Sequence, residues 1–135
     1  MPAHLRGSLS ERAGAKCEYC HMPEGFTTLR FQQDHVIARK HRGAKILDNL
    51  AWSCADGNAY KGSDLSGLDP ETGKLERLFN PRTDRWQEHF DWNGAVLVAK
   101  TATGRVTVSL LQINREERLA VRRELMAAGL FPAIF

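Results

Sequence analysis

Cys17-Glu18-Tyr19-Cys20 and Cys54 bracket Asp34-His35, and from Asp34 to Lys61 the chain places a carboxylate, an imidazole, two carboxamides (Asn49, Asn58) and an amine within 28 residues. The local pattern limits how these groups can be carried. Phe26 to Gln33 alternates β-branched or aromatic residues with polar ones and reads as a strand delivering Asp34 and His35 at its end. Gly43 breaks a basic loop, and Asn49 to Ser53 reads as a second short strand. Cys54 to Gly62 then has helical spacing, with Asn58 and Lys61 three apart on one face. The expected unit is strand, loop, strand, helix.

Around this unit the signals are more ordinary. Ser8 or Ser10 can cap a short helix running to about Ala15, weakened by Gly14. Residues 63 to 85 are rich in Gly, Asp, Pro and Ser, with Asp69-Pro70 and Asn80-Pro81 as turn signals, and read as an ordered connection too short to separate domains. Phe90 to Trp92, the Asn93-Gly94 dipeptide and Ala95 to Thr101 read as a hairpin. Thr103-Gly104 reads as a second turn into Arg105 to Ile113, giving a three-stranded antiparallel β meander. Asn114 with Glu117 three residues on, Gly129 and Pro132 bound a terminal helix over 115–128. The predicted class is α+β, with residues 1–135 forming one domain around one core.

Hydrophobic content of 42% and charged content of 26%, without low-complexity runs, exclude disordered and fibrous classes. No stretch approaches the roughly 18 to 20 apolar residues of a membrane span, and no signal-peptide pattern opens the chain, so the expected location is cytoplasmic, away from membranes. Three cysteines cannot close into a full set of disulfides, and Cys-x-x-Cys in a reducing compartment suggests metal or redox chemistry. The net charge of +3 lies wholly in residues 1–62, with nine Lys/Arg against six Asp/Glu. Arg39, Lys40, Arg42 and Lys45 form a run without an acid, either a solvated loop or a grip on a polyanion backbone. Arg115, Arg118 and Arg122 fall within about 60° of one another on the terminal helix. They suit either a phosphate contact or internal pairing with Glu116, Glu117 or acidic loop residues.

A phosphodiester resists hydrolysis because hydroxide must approach an anion and the leaving alkoxide carries off charge, so an enzyme needs a base for water and a cation at the leaving oxygen. His35 titrates in the range required of such a base, and Asp34 and Asn58 are hard oxygen donors suited to Mg²⁺ or Mn²⁺. Asn49 can hold the basic loop or His35 by hydrogen bonding, and Lys61 can neutralise a phosphate. Adjacent residues of a strand face opposite sides, so Asp34 and His35 serve one site only where the strand ends or distorts. His89, between Glu88 and Phe90, reads as a structural hydrogen-bonder.

Cys17-x-x-Cys20, Phe31-x-x-Asp34-His35-Val36-Ile37, Asn49-Leu50-Ala51, Cys54 and Asn58-x-x-Lys61-Gly62 resemble the HNH endonuclease family in its Asn-ending variant. The resemblance covers residues 17–62 and implies a ββα-metal core, with 63–135 as a C-terminal extension packed on it. It implies His35 as general base, Asp34 and Asn58 as ligands of the catalytic divalent ion, Asn49 as positioner of the histidine loop, and Lys61 as a basic position. DNA is then the implied substrate, with backbone contacts from Arg39, Lys40, Arg42 and Lys45. Less specifically, Asp69-Pro70, Leu78 to Arg82, Trp86-x-x-His89-Phe90 and Gly104-Arg105 look like the tail of small stand-alone bacterial HNH proteins.

Many HNH proteins pair Cys-x-x-Cys with a second such pair around a structural Zn²⁺, and here Gly57 stands where the fourth cysteine is expected. Cys17, Cys20 and Cys54 would then need Asp56, His21, His41 or water to complete tetrahedral coordination, or the zinc is absent. Two functional expectations follow: a metal-dependent endonuclease hydrolysing DNA, or a non-cleaving DNA- or partner-binding module that keeps the fold.

Overall fold

The strand carrying Asp34 and His35 is limited to four residues by its partner. In a computed structural model, which describes residues 3–27 and 29–132, β1 (Gln32–His35) pairs antiparallel with β2 (Leu50–Ser53), from Gln32 opposite Ser53 to His35 opposite Leu50. No further rung is available, because Cys54 leaves the strand to cap α2 (Ala55–Lys61), its Sγ accepting from the Gly57 amide at 3.3 Å. The strand expected from Phe26 therefore starts only at Gln32, and Phe26 and Leu29 remain exposed.

Ahead of this unit, α1 (Ala3–Ala13) starts earlier than Ser8 and stops before Ala15, where Gly14 and Ala15 take positive φ. Leu9 is fully buried, and Arg12 donates to the carbonyls of Leu47 at 2.9 Å and Leu50 at 2.5 Å. The Cys17–Cys20 turn is tied to β2 in both directions. Glu18 donates its amide to the Trp52 carbonyl at 2.9 Å, and its carboxylate accepts from the Trp52 amide at 2.7 Å.

The C-terminal half departs most from expectation. Residues 63–85, read as an irregular connection, contain a hairpin of β3 (Ser66–Leu68) and β4 (Leu75–Arg77). Its turn is organised by the buried Asp69 carboxylate, which accepts from the Glu71 amide and the Thr72 hydroxyl. A short helix, α3 (Trp86–His89), leads into the expected hairpin of β5 (Phe90–Asn93) and β6 (Val96–Ala99). The meander ends there, since Arg105 to Ile113 is no strand: α4 (Ala102–Leu110) occupies most of it.

Two local reasons explain that correction. Thr101 caps the helix, its hydroxyl accepting from the Gly104 amide at 3.0 Å. Gly104 is required for close packing rather than for a turn, because a Cβ there would lie 2.4 Å from the His89 carbonyl oxygen. Val106, Val108 and Leu110 alternate with polar residues and so imitate a strand, yet Thr103, Val106, Thr107 and Leu111 also mark one helical face, and all four are buried. Arg105 on α4 grips Asp69 with two hydrogen bonds of 2.9 and 2.8 Å, joining helix to hairpin.

The terminal helix, α5 (Glu116–Ala127), lies where it was expected. Asn114 does not cap it. Its side chain instead donates to the Leu97 carbonyl and accepts the Leu97 amide, extending the edge of β6. A single hydrophobic cluster joins Leu9, Tyr19, Leu50 and Trp52 with Phe79, Phe90, Leu97, Leu111 and Ile113, so residues on both sides of position 62 share it. No helix among the described residues is long and apolar enough to cross a membrane.

Candidate active site

Asp34 and His35 leave β1 on opposite sides, as consecutive strand residues must. Asp34, opposite Ala51, is 2% exposed, while His35 is half-buried at the strand end. The Tyr19 hydroxyl donates to Asp34 Oδ2 at 2.5 Å, and Lys61 Nζ donates to Oδ1 at 3.1 Å. Burial pushes the Asp34 carboxyl above its usual range, and Lys61 and then Tyr19 oppose that rise. Each carboxylate oxygen has accepted one hydrogen bond, so lone pairs remain on both.

Lys61 does not occupy the position expected of a phosphate contact. Its ammonium is 2% exposed and also donates to the carbonyls of His35 at 3.3 Å and Val36 at 3.4 Å. An ammonium has three protons, and all three are engaged. The residue instead fastens α2 across the end of β1. Asn58, one turn earlier on α2, is half-buried and its side-chain carboxamide has no hydrogen-bond partner among the described residues.

His35 Nε2 is buried without a hydrogen-bond partner. Desolvation and then Arg39 lower the pKa of this imidazole, Asp34 opposes them, and Lys45 and Lys61 add smaller lowering effects. The ring is therefore neutral, with a lone pair available, down to more acid pH than an ordinary histidine. The same cations create an attractive field for a polyanion. Arg39, Lys40, Arg42 and Lys45 are exposed and form no salt bridge among the described residues.

Asn49 anchors the loop bearing these cations. Its Oδ1 accepts from the Ile37 amide at 2.9 Å, and its Nδ2 donates to the carbonyls of Ile37 at 3.0 Å and Ala44 at 2.8 Å. Gly43 is pressed against this clasp, where a Cβ would lie 1.6 Å from the Ile37 oxygen and 2.8 Å from Asn49 Nδ2. Gly43→Ala is therefore expected to displace the loop and cost about 1–3 kcal/mol by overpacking. Thermal melting and amide exchange at Ile37 measure this, and unchanged stability with unchanged protection would refute it.

Behind the site, the sulfurs of Cys17, Cys20 and Cys54 lie within 4.8 Å of one another and are buried, an arrangement able to hold a metal ion as far as the thiols are concerned. Burial pushes the Cys17 thiol up to about 12. Cys20 moves the other way, held well below the usual thiol range by hydrogen bonds from Cys17 and Cys54, with the Arg118 guanidinium adding to the effect. No His or carboxylate among the described residues joins the three sulfurs. His21, a candidate fourth ligand, stacks on Trp86 at 4.0 Å, and His41 and Asp56 are exposed.

The arginine stripe meets the expectation of internal pairing only at Arg115. Arg118 and Arg122 are 7% and 0% exposed and donate to carbonyls rather than to carboxylates, Arg118 also reaching the sulfurs of Cys20 and Cys54, while Arg122 Nη1 is buried without a partner among the described residues. Arg122 donates to the carbonyls of Ala95 at 2.7 Å and Ile113 at 2.9 Å. Arg115 remains at the surface, paired with Glu117 and with the Tyr60 hydroxyl. His89 is buried with Nδ1 2.6 Å from the Thr101 hydroxyl, a structural placement. Tyr19 was not singled out from sequence, although its place between the two cysteines fixes it beside Asp34. Arg118 reads from sequence as a phosphate contact or a partner of acidic residues, although Arg118, Arg122 and Leu125 lie on one buried helical stripe that Leu119 flanks.

Comparison with known proteins accords with this arrangement. The family model described as HNH endonuclease matches residues 17–64, the stretch holding the thiol cluster, Asp34-His35 and α2. Over 125 residues the chain is 26% identical to the Septu protein PtuB of Bacillus thuringiensis, an alignment covering 91% of this chain and 46% of that protein. The chain thus spans about half the length of that relative. No solved structure matches it. The similarity of this chain to the HNH endonuclease family thus lies in residues 17–64.

Proposed function

We propose that the chain is a metal-dependent endonuclease that hydrolyses DNA phosphodiester bonds, with the β1–β2–α2 unit acting as a ββα-metal core and residues 63–135 forming one domain with it. The observation that carries this reading is His35 Nε2, a buried imidazole nitrogen without a partner on a ring whose pKa is lowered by desolvation and then by Arg39. A buried polar atom left unpaired costs free energy, and a water or substrate oxygen arriving there would relieve it.

Asp34 and Asn58 are the residues that would hold a divalent ion. The remaining lone pairs of the Asp34 carboxylate and the unpartnered Asn58 amide are hard oxygen donors that fit Mg²⁺ or Mn²⁺, which keep several waters of their own. Such an ion supplies positive charge to the phosphoryl group and the leaving oxygen. His35 accepts the proton of the attacking water, whose oxygen bonds to phosphorus as the bond to the 3′ oxygen breaks. The products carry a 5′ phosphate and a 3′ hydroxyl. Asn49 keeps the basic loop in register with His35, and Arg39, Lys40, Arg42 and Lys45 meet the DNA backbone. Lys61 orients Asp34 and reaches no phosphate.

Incubation of the purified chain with supercoiled plasmid and Mg²⁺ or Mn²⁺ tests this directly, and the expected result is nicking. Absence of nicking under either ion would sink the reading. One observation favours the alternative of a non-cleaving DNA- or partner-binding module: both Asp34 oxygens already accept from protein donors. Salt-sensitive duplex binding without cleavage under any divalent ion is the outcome that would select it.

The pH dependence follows from the field around His35. Nicking should fall as the pH drops and the base becomes protonated, with a midpoint below the value of about 6.5 for an ordinary histidine. Arg39→Gln removes one of the cations opposing protonation and should move that midpoint upward. A midpoint above the ordinary value, or an Arg39→Gln profile superposable on the parent, would contradict the assignment.

A further inference from the structure

An arginine from α5 reaches the thiol cluster and fills the volume that a fourth sulfur would need. Arg118 Nη2 donates to Cys20 Sγ and Cys54 Sγ, each at 3.4 Å, straddling two sulfurs that are 3.7 Å apart. Its Nη1 donates to the carbonyls of Leu111 at 2.7 Å and Gln112 at 3.2 Å, which fixes the plane of the guanidinium. Gly57 presents its bare Cα to the same space. A Cβ there would lie 3.2 Å from Cys54 Sγ and 4.0 Å from Arg118 Nη2, so a cysteine sulfur, one bond further on, would contend with Nη2 for the position.

We propose that these residues form a knuckle of three cysteines and one arginine that takes no zinc, Arg118 closing it in place of a fourth ligand and a metal. A guanidinium has five donors and no acceptor, so it cannot ligate a cation. Its fixed charge, in contact with two of the three sulfurs, opposes a dication among them. The missing cysteine and the buried arginine are one feature: with Gly57 there is room for Nη2, and with Nη2 in place the cluster has its positive charge. The carbonyls of Leu111 and Gln112 hold Arg118 independently of the thiols, so it is a built part of α5 and its preceding loop.

The test uses the full chain, expressed in zinc-supplemented medium, and reads bound metal by mass spectrometry together with thermal melting with and without EDTA. Zinc at the level of buffer contamination and a transition indifferent to EDTA are expected. Titration with Co²⁺ should give no thiolate-to-cobalt charge-transfer band. Stoichiometric zinc in the native chain, or a melting temperature that falls on chelation, would overturn the proposal. Gly57→Cys combined with Arg118→Met supplies the fourth thiol and removes the cation, and this variant should bind stoichiometric zinc and acquire sensitivity to EDTA. A folded double variant that still takes no zinc would show that Arg118 is not what excludes it. If the double variant does not fold, the metal content and cobalt spectrum of the native chain decide alone. None of these readouts depends on cleavage, so the result stands apart from the nuclease reading.

Discussion

His35→Ala should lower DNA nicking by about 10²- to 10⁴-fold, the usual contribution of a positioned general base. The fold should survive, because the imidazole makes no hydrogen bond through Nε2 and its removal deletes a buried unpaired atom instead of creating one. The effect on stability should therefore be small and of either sign. Initial rates of plasmid relaxation with saturating Mg²⁺ or Mn²⁺, compared alongside circular dichroism of both proteins, give the answer. Undiminished nicking by a folded His35→Ala chain would remove His35 from the chemistry. A complete loss accompanied by unfolding would leave Gln as the informative replacement, since it keeps the bulk of the side chain without a base.

The largest effect on stability is expected at Lys61. Lys61→Met removes the ammonium that pairs with Asp34 at 3.1 Å, both groups being 2% exposed. Breaking one side of a buried ion pair costs about 3–5 kcal/mol, chiefly because the surviving charge is stranded. Here the stranded group is a carboxylate whose pKa is already raised by burial and lowered mainly by Lys61, so without the ammonium it rises further. A carboxyl whose folded pKa exceeds its unfolded value binds more protons in the folded state, and folding is then favoured as pH falls. The penalty of Lys61→Met should accordingly be greatest at neutral pH and shrink on acidification through the raised Asp34 pKa. Adding Asp34→Asn should restore much of the lost stability at neutral pH by removing the unpaired charge. Urea unfolding at two pH values resolves these outcomes. A Lys61→Met penalty that is independent of pH and unrelieved by Asp34→Asn would show that the pair is not the origin of the cost.

These two predictions rest on residues whose positions were unequally legible in the sequence. Asp34, His35, Asn49 and the helix carrying Asn58 and Lys61 could be located because short-range pattern governs them: alternation ahead of Asp34, period 3.6 in α2, and a glycine in the loop between β1 and β2. What the pattern could not convey was which faces are covered. The sequence marks Lys61 as a cation free to meet a phosphate, and its burial depends on Asp34 and the carbonyls of His35 and Val36 meeting it from elsewhere in the chain. Residues 102–110 illustrate the same limit, since Val106, Val108 and Leu110 alternate as in a strand while Thr103, Val106, Thr107 and Leu111 keep the helical period, and the choice of helix is made by the Thr101 cap and the packing of Gly104 against His89. The early start expected of β1 failed because strand length is set by the partner, and β2 turns away at Cys54. Arg118 and Arg122 departed from expectation for a related reason: carbonyl groups at loop ends, invisible in sequence, supply acceptors for them.

The hydrogen bonds from Arg118 to Cys20 and Cys54 span 98 and 64 residues. During synthesis the chain emerges from its N-terminus, so Cys20, Asp34, His35 and Asn58 are all exposed to the cell before the residue that closes the cluster behind them has been made. Contacts of such long sequence separation form late, because loop closure must be met before they contribute. The finished cluster thus marks the arrival of α5: a fragment truncated before α5 would hold every group near His35 while lacking the guanidinium that seals the thiols.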